Sequence, residues 1–325
     1  MPLLIAGLAL ASACSRAAAP DPNAPLVLER TIDLPGVRGR IDHLAYDSAH
    51  RRLFVAELGN GLVEAIDLGS GRTVRASGLN EPQGIGYLPK QDAIAIACGG
   101  DGSLRFFDAA TLKPLGMLRL GDDADNVRID PAGHVVVGYG SGGLVIVDPE
   151  RRTIVRAIAL PAHPEAFQIA PDGHRAFVNL PGAHKIALVA LDQGRIDSLW
   201  PASHGANFPM ALSGDGLLAI AFRAPAHLVL LDPNSGAVRQ DLPTCGDADD
   251  VFFDERRGRI MVSCGAGRIA LYARNSGGYA PAGEIETRSG ARTSLFAPEL
   301  DRLFVAAPAA FPGREAAILV YRPKS

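Results

Sequence analysis

Seven segments of the chain repeat one another at an interval near 40 residues. They are IDHLAYD (41 to 47), PQGIGYL (82 to 88), ADNVRID (124 to 130), PEAFQIA (164 to 170), NFPMALS (207 to 213), ADDVFFD (248 to 254) and ARTSLFA (291 to 297), and successive starts are separated by 41, 42, 40, 43, 41 and 43 residues. Each is followed by a polar turn, an apolar run such as RLFVAEL or RIMVSCG, a second run such as LVIVD or LVLLD, a turn such as DPNSG, and a last run such as IVRAIAL. Four short strands per repeat predict a β-propeller blade. The seventh copy stops after its third run, AILVYR, and LVLERTIDL (26 to 34) is the natural fourth strand. Pairing the chain ends in this way leaves no exposed strand edge, whereas an open stack would need capping units. The expected fold is all-β, a seven-bladed propeller over residues 26 to 325, closed by its N-terminal strand.

The chain has 325 residues, 47% hydrophobic and 21% charged, enough for a large core. Its formal charge of -3 supplies no basic field, so nucleic acid is a disfavoured partner. Residues 1 to 14 hold an apolar run too short to span a bilayer, which suits a secretory signal. Ala11, Ser12 and Ala13 before Cys14 resemble the lipobox of bacterial lipoproteins, although no basic residue precedes the run and Ala stands at position 11. The resemblance implies lipidation at Cys14 and export to the periplasm or outer membrane, with residues 15 to 25 as a tether. Cleavage as a simple secretory signal is the alternative.

Blade segments such as LFVAELGNGLVEAIDLGSGRTV lack the Gly-His and Trp-Asp dipeptides of WD40 repeats. They resemble the YVTN-type repeats of bacterial extracytoplasmic, YncE-like propellers, over all seven blades. That resemblance implies the fold and leaves the function open.

The first strand of a propeller blade lines the central channel. The equivalent opening positions are Asp42, Gln83, Asp125, Glu165, Phe208, Asp249 and Arg292, followed by His43, Gly84, Asn126, Ala166, Pro209, Asp250 and Thr293. Four carboxylates in one ring, with Asp250 beside them, repel one another unless a cation, hydrogen bonds or raised pKa values compensate. Arg292 and Arg40 are internal candidates. A divalent cation such as Ca²⁺ would use Asp42, Asp125, Asn126 and Asp250, and His43 would admit a transition metal or act as a base. Phe208, with Asn207 before it, adds an aromatic wall suited to a ligand with one apolar and one polar end. The plainer account is turn capping around a water-filled mouth.

These residues support three functional expectations. The first is a monomeric binding or interaction module that takes a small molecule or an envelope protein at the acidic mouth. The second is an enzyme similar to propeller lactonases and lyases, in which a divalent cation polarises an ester-type carbonyl. The chain departs from the six-bladed gluconolactonase type in blade number and has no second ring histidine to match the lyases. The third, nucleic-acid binding, is disfavoured by the acidic ring. Cys245 is expected to approach Cys264 across the hairpin of the sixth repeat and form a disulfide. Paired arginines at 51, 151 and 256 fall in turns on the opposite face, where neighbouring aspartates predict a mixed, solvated surface.

Overall fold

In a computed structural model describing residues 24 to 310 and 313 to 324, the repeats form seven four-stranded antiparallel sheets ringed around a channel. The signal segment 1 to 14, Cys14 and the tether through residue 23 lie outside the described residues. Blades one to six span residues 44 to 77, 82 to 119, 127 to 159, 167 to 201, 205 to 243 and 248 to 286. Helix among the described residues is limited to two single 3-10 turns, Leu58–Asn60 and Pro181–Ala183.

Burial explains the strand patterns. The second strand of blade one, Arg52–Glu57, is buried at every position because both its faces meet a neighbouring blade. Phe54 and Ala56 join Ile94, Ile96 and Phe107 of blade two in one core, while Leu53 and Val55 join Phe304 and Ile318 of blade seven in another. Alternation with period two therefore splits one strand between two cores. The outermost strand of blade four, Arg195–Pro201, has one face in solvent and alternates exposed and half-buried residues.

Blade seven consists of Ser294–Ala297, Arg302–Ala307, Ala316–Pro323 and, outermost, Leu26–Leu34. Leu26 stands opposite Pro323 and Leu34 opposite Ala316, with a bulge between Leu28 and Arg30. Leu34 is buried against blade one and Leu26 against blade six, so the closing strand contributes to both adjacent cores. Burying one leucine stabilises by roughly 1.5–3 kcal/mol. The chain ends meet where Lys324 N–H donates to the Pro25 carbonyl at 2.9 Å.

The turns between third and fourth strands share one device. The carboxylates of Asp67, Asp108, Asp148 and Asp232 each accept hydrogen bonds from the backbone N–H groups two and three residues on. This is the Asx turn that aspartate is suited to make. Cys245 and Cys264 form a disulfide with Cα atoms 5.9 Å apart, tying the segment that leads into blade six to the end of its second strand. Burial pushes the Cys98 thiol up to about 11, which leaves it unreactive. On the turn face the arginines are paired with acids: Arg52 with Asp47 at 2.6 Å, Arg151 with Asp148 at 2.7 Å and Arg257 with Asp301 at 2.6 Å.

Candidate functional site in the central channel

The acidic strings at 123 and 247 lie where chain enters the channel. Asp123 and Asp247 take the left-handed conformation, with φ of 41° and 60°. Aspartate tolerates that region better than most residues, and the bend sends Asp125 and Asp249 to the channel rim. The rim is tight: a Cβ on Gly84 would lie 2.2 Å from the Asp125 carbonyl oxygen, so only glycine fits there.

The rim is not the open acidic mouth that the sequence suggested. Asp42, Gln83, Asp125 and Asn126 are buried, and cations lie beside Asp42, Asp125 and Asp249. Arg40 Nη2 lies 2.7 Å from Asp42 Oδ2, without the alignment of a hydrogen bond. Arg292 reaches Asp247 at 3.0 Å and Asp249 at 3.2 Å. Arg223 bonds to Asp249 and stacks 4.0 Å from the centre of the Phe208 ring, so Phe208 backs an arginine at the rim. His163 places Nε2 3.9 Å from Asp125 and donates from Nδ1 to the Gly140 carbonyl at 2.6 Å. Those partners outweigh burial and push its pKa up to about 9, so it is a cation at neutral pH.

The carboxyls divide accordingly. Asp125 is buried, yet His163, His43 and Arg40 hold it below the usual carboxylate range. Burial raises Asp42 to about 6 against the pull of His43 and Arg40. Burial, with repulsion from Asp125, raises Glu165 to about 7. Asp250 rises to about 7, chiefly through burial and then through Asp249, while its carboxylate accepts a 2.6 Å hydrogen bond from Ser294 N–H. Asn207 faces away from this ring; its side chain donates to Asn179 and to the Lys185 carbonyl, pinning blade four to blade five.

A cavity of about 950 Å³ fills the channel on the other side of the rim. Of the ring positions, His43, Ala166, Pro209, Asp249 and Asp250 line it. Its walls carry Tyr46, Tyr87, Ile129, Phe252 and Phe296, and it reaches the exposed Ser48, Pro89 and Arg256 on the turn face. Arg128 and Gln168 interrupt the apolar wall. The Arg128 guanidinium donates to the Val127 carbonyl at 2.9 Å and lies 5.6 Å from the centre of the Phe167 ring. Among the described residues it forms no ion pair within 4.0 Å. Burial lowers its pKa, opposed by Asp250 and Asp125.

Arg223, His163 and Arg128 were not among the residues drawn from the sequence. For Arg128 and Gln168 a signal existed: both stand three places after the opening residue, where the other blades carry Ala45, Gly86, Ala211, Phe252 and Leu295. Arg223 stands next to last in a second strand and His163 precedes a first one, so neither falls at an aligned channel position.

The acids proposed for a divalent cation are held by other partners. Yet Asp125 Oδ1 and Asn126 Oδ1 are buried acceptors without hydrogen bonds, and oxygens of this kind fit a hard cation, whereas Asp42 Oδ2 faces the Arg40 guanidinium.

No family model matches the sequence, and no curated protein matches it. Solved structures with the same architecture include a chain of the mitotic checkpoint complex, at TM-score 0.80 and 14% identity over 99% of this chain and 100% of that one. Another is a chain of hydrazine synthase from Kuenenia stuttgartiensis, at TM-score 0.75 and 13% identity over 88% of this chain and 98% of that one. Likeness at such low identity shows the propeller fold alone.

Proposed function

We propose that the chain is an exported propeller of the YVTN-type, YncE-like class that binds a small amphipathic anion in its channel. The ligand enters from the turn face. The observation that carries this reading is Arg128, a cavity-lining guanidinium without a carboxylate partner, set in an apolar wall near Asp250. An acidic head would take the free guanidinium donors, and an apolar body would lie along Tyr46, Tyr87, Phe252 and Phe296. The Cys245–Cys264 disulfide supports export to an oxidising compartment, and lipid anchoring through Cys14 rests on the lipobox resemblance.

Asp250 makes the binding depend on pH. Its carboxyl, raised to about 7, adds a negative charge beside the cavity and Arg128 once ionised and repels an anionic ligand, so anion affinity rises as pH falls through that value. The test is calorimetric titration with aryl and alkyl carboxylates from pH 6 to pH 8. Binding should strengthen by about tenfold toward the acid side, the worth of one pKa unit of interaction. Asp250→Asn should remove the pH dependence and Arg128→Met should remove binding. Carboxylates that bind equally well to folded Arg128→Met would end this account.

A second reading is favoured by Asp125 Oδ1 and Asn126 Oδ1, buried acceptors without hydrogen bonds, beside Asp42, whose Oδ2 faces Arg40. They would hold a divalent cation such as Ca²⁺, which supplies a Lewis acid for ester or lactone substrates. A stoichiometric ion lost on Asp125→Asn, together with lactone hydrolysis, would favour it over anion binding.

A further inference from the structure

Two groups of side chains among the described residues bring three metal-ligating atoms within 4.8 Å of one another, and neither belongs to the channel. The first is Asp47, His50 and Asp92 on the turn face, where the Arg52 guanidinium already lies between the two carboxylates. A fixed positive charge occupies the place a cation would need.

The second is His204, His227 and Asp241 in blade five, and it differs in each respect that matters. His227 stands on the third strand, Ala226–Leu231, opposite Pro243 of the fourth, Val238–Pro243. Asp241 lies two places before Pro243, so it presents the same face as a diagonal neighbour of His227. His204 arrives from the segment just before the first strand, Gly205–Leu212, and its ring packs edge-on against Phe222, with centroids 5.4 Å apart. His204 Nε2 lies 2.8 Å from Asp241 Oδ2 and His227 Nδ1 lies 2.6 Å from Asp241 Oδ1, so both nitrogens point at one carboxylate. The two imidazole centroids are 4.5 Å apart. No lysine or arginine pairs with Asp241 among the described residues.

We infer that these three side chains form a site for a divalent first-row transition ion, Zn²⁺ foremost. Two imidazole nitrogens and a carboxylate oxygen are the donors such an ion takes, at about 2.0–2.2 Å each. In the metal-free form each nitrogen facing Asp241 donates a hydrogen bond to it; a bound ion takes the place of those hydrogens, with the ring proton carried on the opposite nitrogen. The histidine side chains are 20% and 31% exposed and Asp241 is 36% exposed, so the remaining coordination position faces water. Three protein ligands and a solvent position characterise an open zinc site rather than a closed structural one. The ligands are 23 and 14 residues apart in sequence and come from three separate segments, so they leave no local motif.

Equilibrium dialysis of the purified, tag-free, disulfide-intact chain against Zn²⁺ and Co²⁺, read by elemental analysis, tests the site. One ion per chain is expected. His204→Gln and His227→Gln should each weaken binding by about tenfold or more, and the double variant should bind none while melting as wild type does. Co²⁺ should give ligand-field absorption in the wild type that the double variant lacks. An ion retained in stoichiometric amount by the folded double variant overturns the assignment. So does a folded wild type that takes up neither metal. Should the variants not fold, the wild type decides alone: Zn²⁺ must shift the ring ¹⁵N resonances of His204 and His227, and unmoved resonances reject the site.

Discussion

Glu57 shows how one side chain can tax the fold. It is fully buried at the end of the second strand of blade one, and neither carboxyl oxygen finds an aligned hydrogen bond. Neighbouring Glu64 is paired with Arg75 at 3.1 Å. Burial first, then Glu64, pushes Glu57 up to about 8. Because the folded value exceeds the unfolded one, the native state holds its proton longer. Stability is therefore full below the ordinary glutamate range, near 4.5, and is lost as pH rises through about 8. Glu57→Gln removes that ionisation, so urea unfolding at pH 9 should find the variant more stable by about 2–4 kcal/mol, with the gap closing toward pH 5. A variant no more stable than wild type at pH 9 would show that Glu57 ionises freely. At this scale the sequence was only partly legible. Repeat alignment placed Asp42, Asp125, Asp249 and Asp250 together at the rim, because equivalent positions in a ring must converge. It missed Arg223 and His163, whose positions depend on where individual loops cross the rim.

Strands were the most legible level, since an apolar run bounded by turns leaves little choice of element. The continuous burial of Arg52–Glu57 and the alternation of Arg195–Pro201 both follow from whether one or two faces meet a neighbouring blade. Blade six carries an extra constraint in the Cys245–Cys264 link across 19 residues of chain. Closing a loop of that length restricts the unfolded chain and stabilises by about 2–4 kcal/mol. A Cys245→Ala, Cys264→Ala chain should lose that amount in denaturant unfolding, and reductant should bring wild type to the same midpoint. If reductant leaves wild type unmoved, the bond contributes nothing to stability. Blade five shows what strand reading does not reach: its metal-ligand cluster arises where a linking segment folds back over two strands.

The whole ring depends on a pairing between residues about 290 positions apart. Removing residues 1 to 34 would expose the hydrogen-bonding edge of Ala316–Pro323 and uncover the cores that Leu26 and Leu34 complete. Such a chain should self-associate in size-exclusion chromatography with light scattering. A circular permutant with Lys324 joined to Pro25 and new ends between blades one and two should stay monomeric and melt near the wild-type temperature. A monomeric, stable truncation would mean that closure is dispensable. Repeat count and the unpaired last blade made this level readable without the structure. The cavity was not, because its depth and its opening follow from which wall residues are small. The first residue of the closing strand, Leu26, lies beside Pro323, at the end of the molecule where the cavity reaches Ser48 and Arg256. In a chain held at Cys14, the 11 residues from 15 to 25 extend at most about 40 Å. Under the proposed anchoring, the point of attachment and the opening of the channel therefore share one end of the molecule, and the mouth could never lie farther from the bilayer than one tether length and the width of that end.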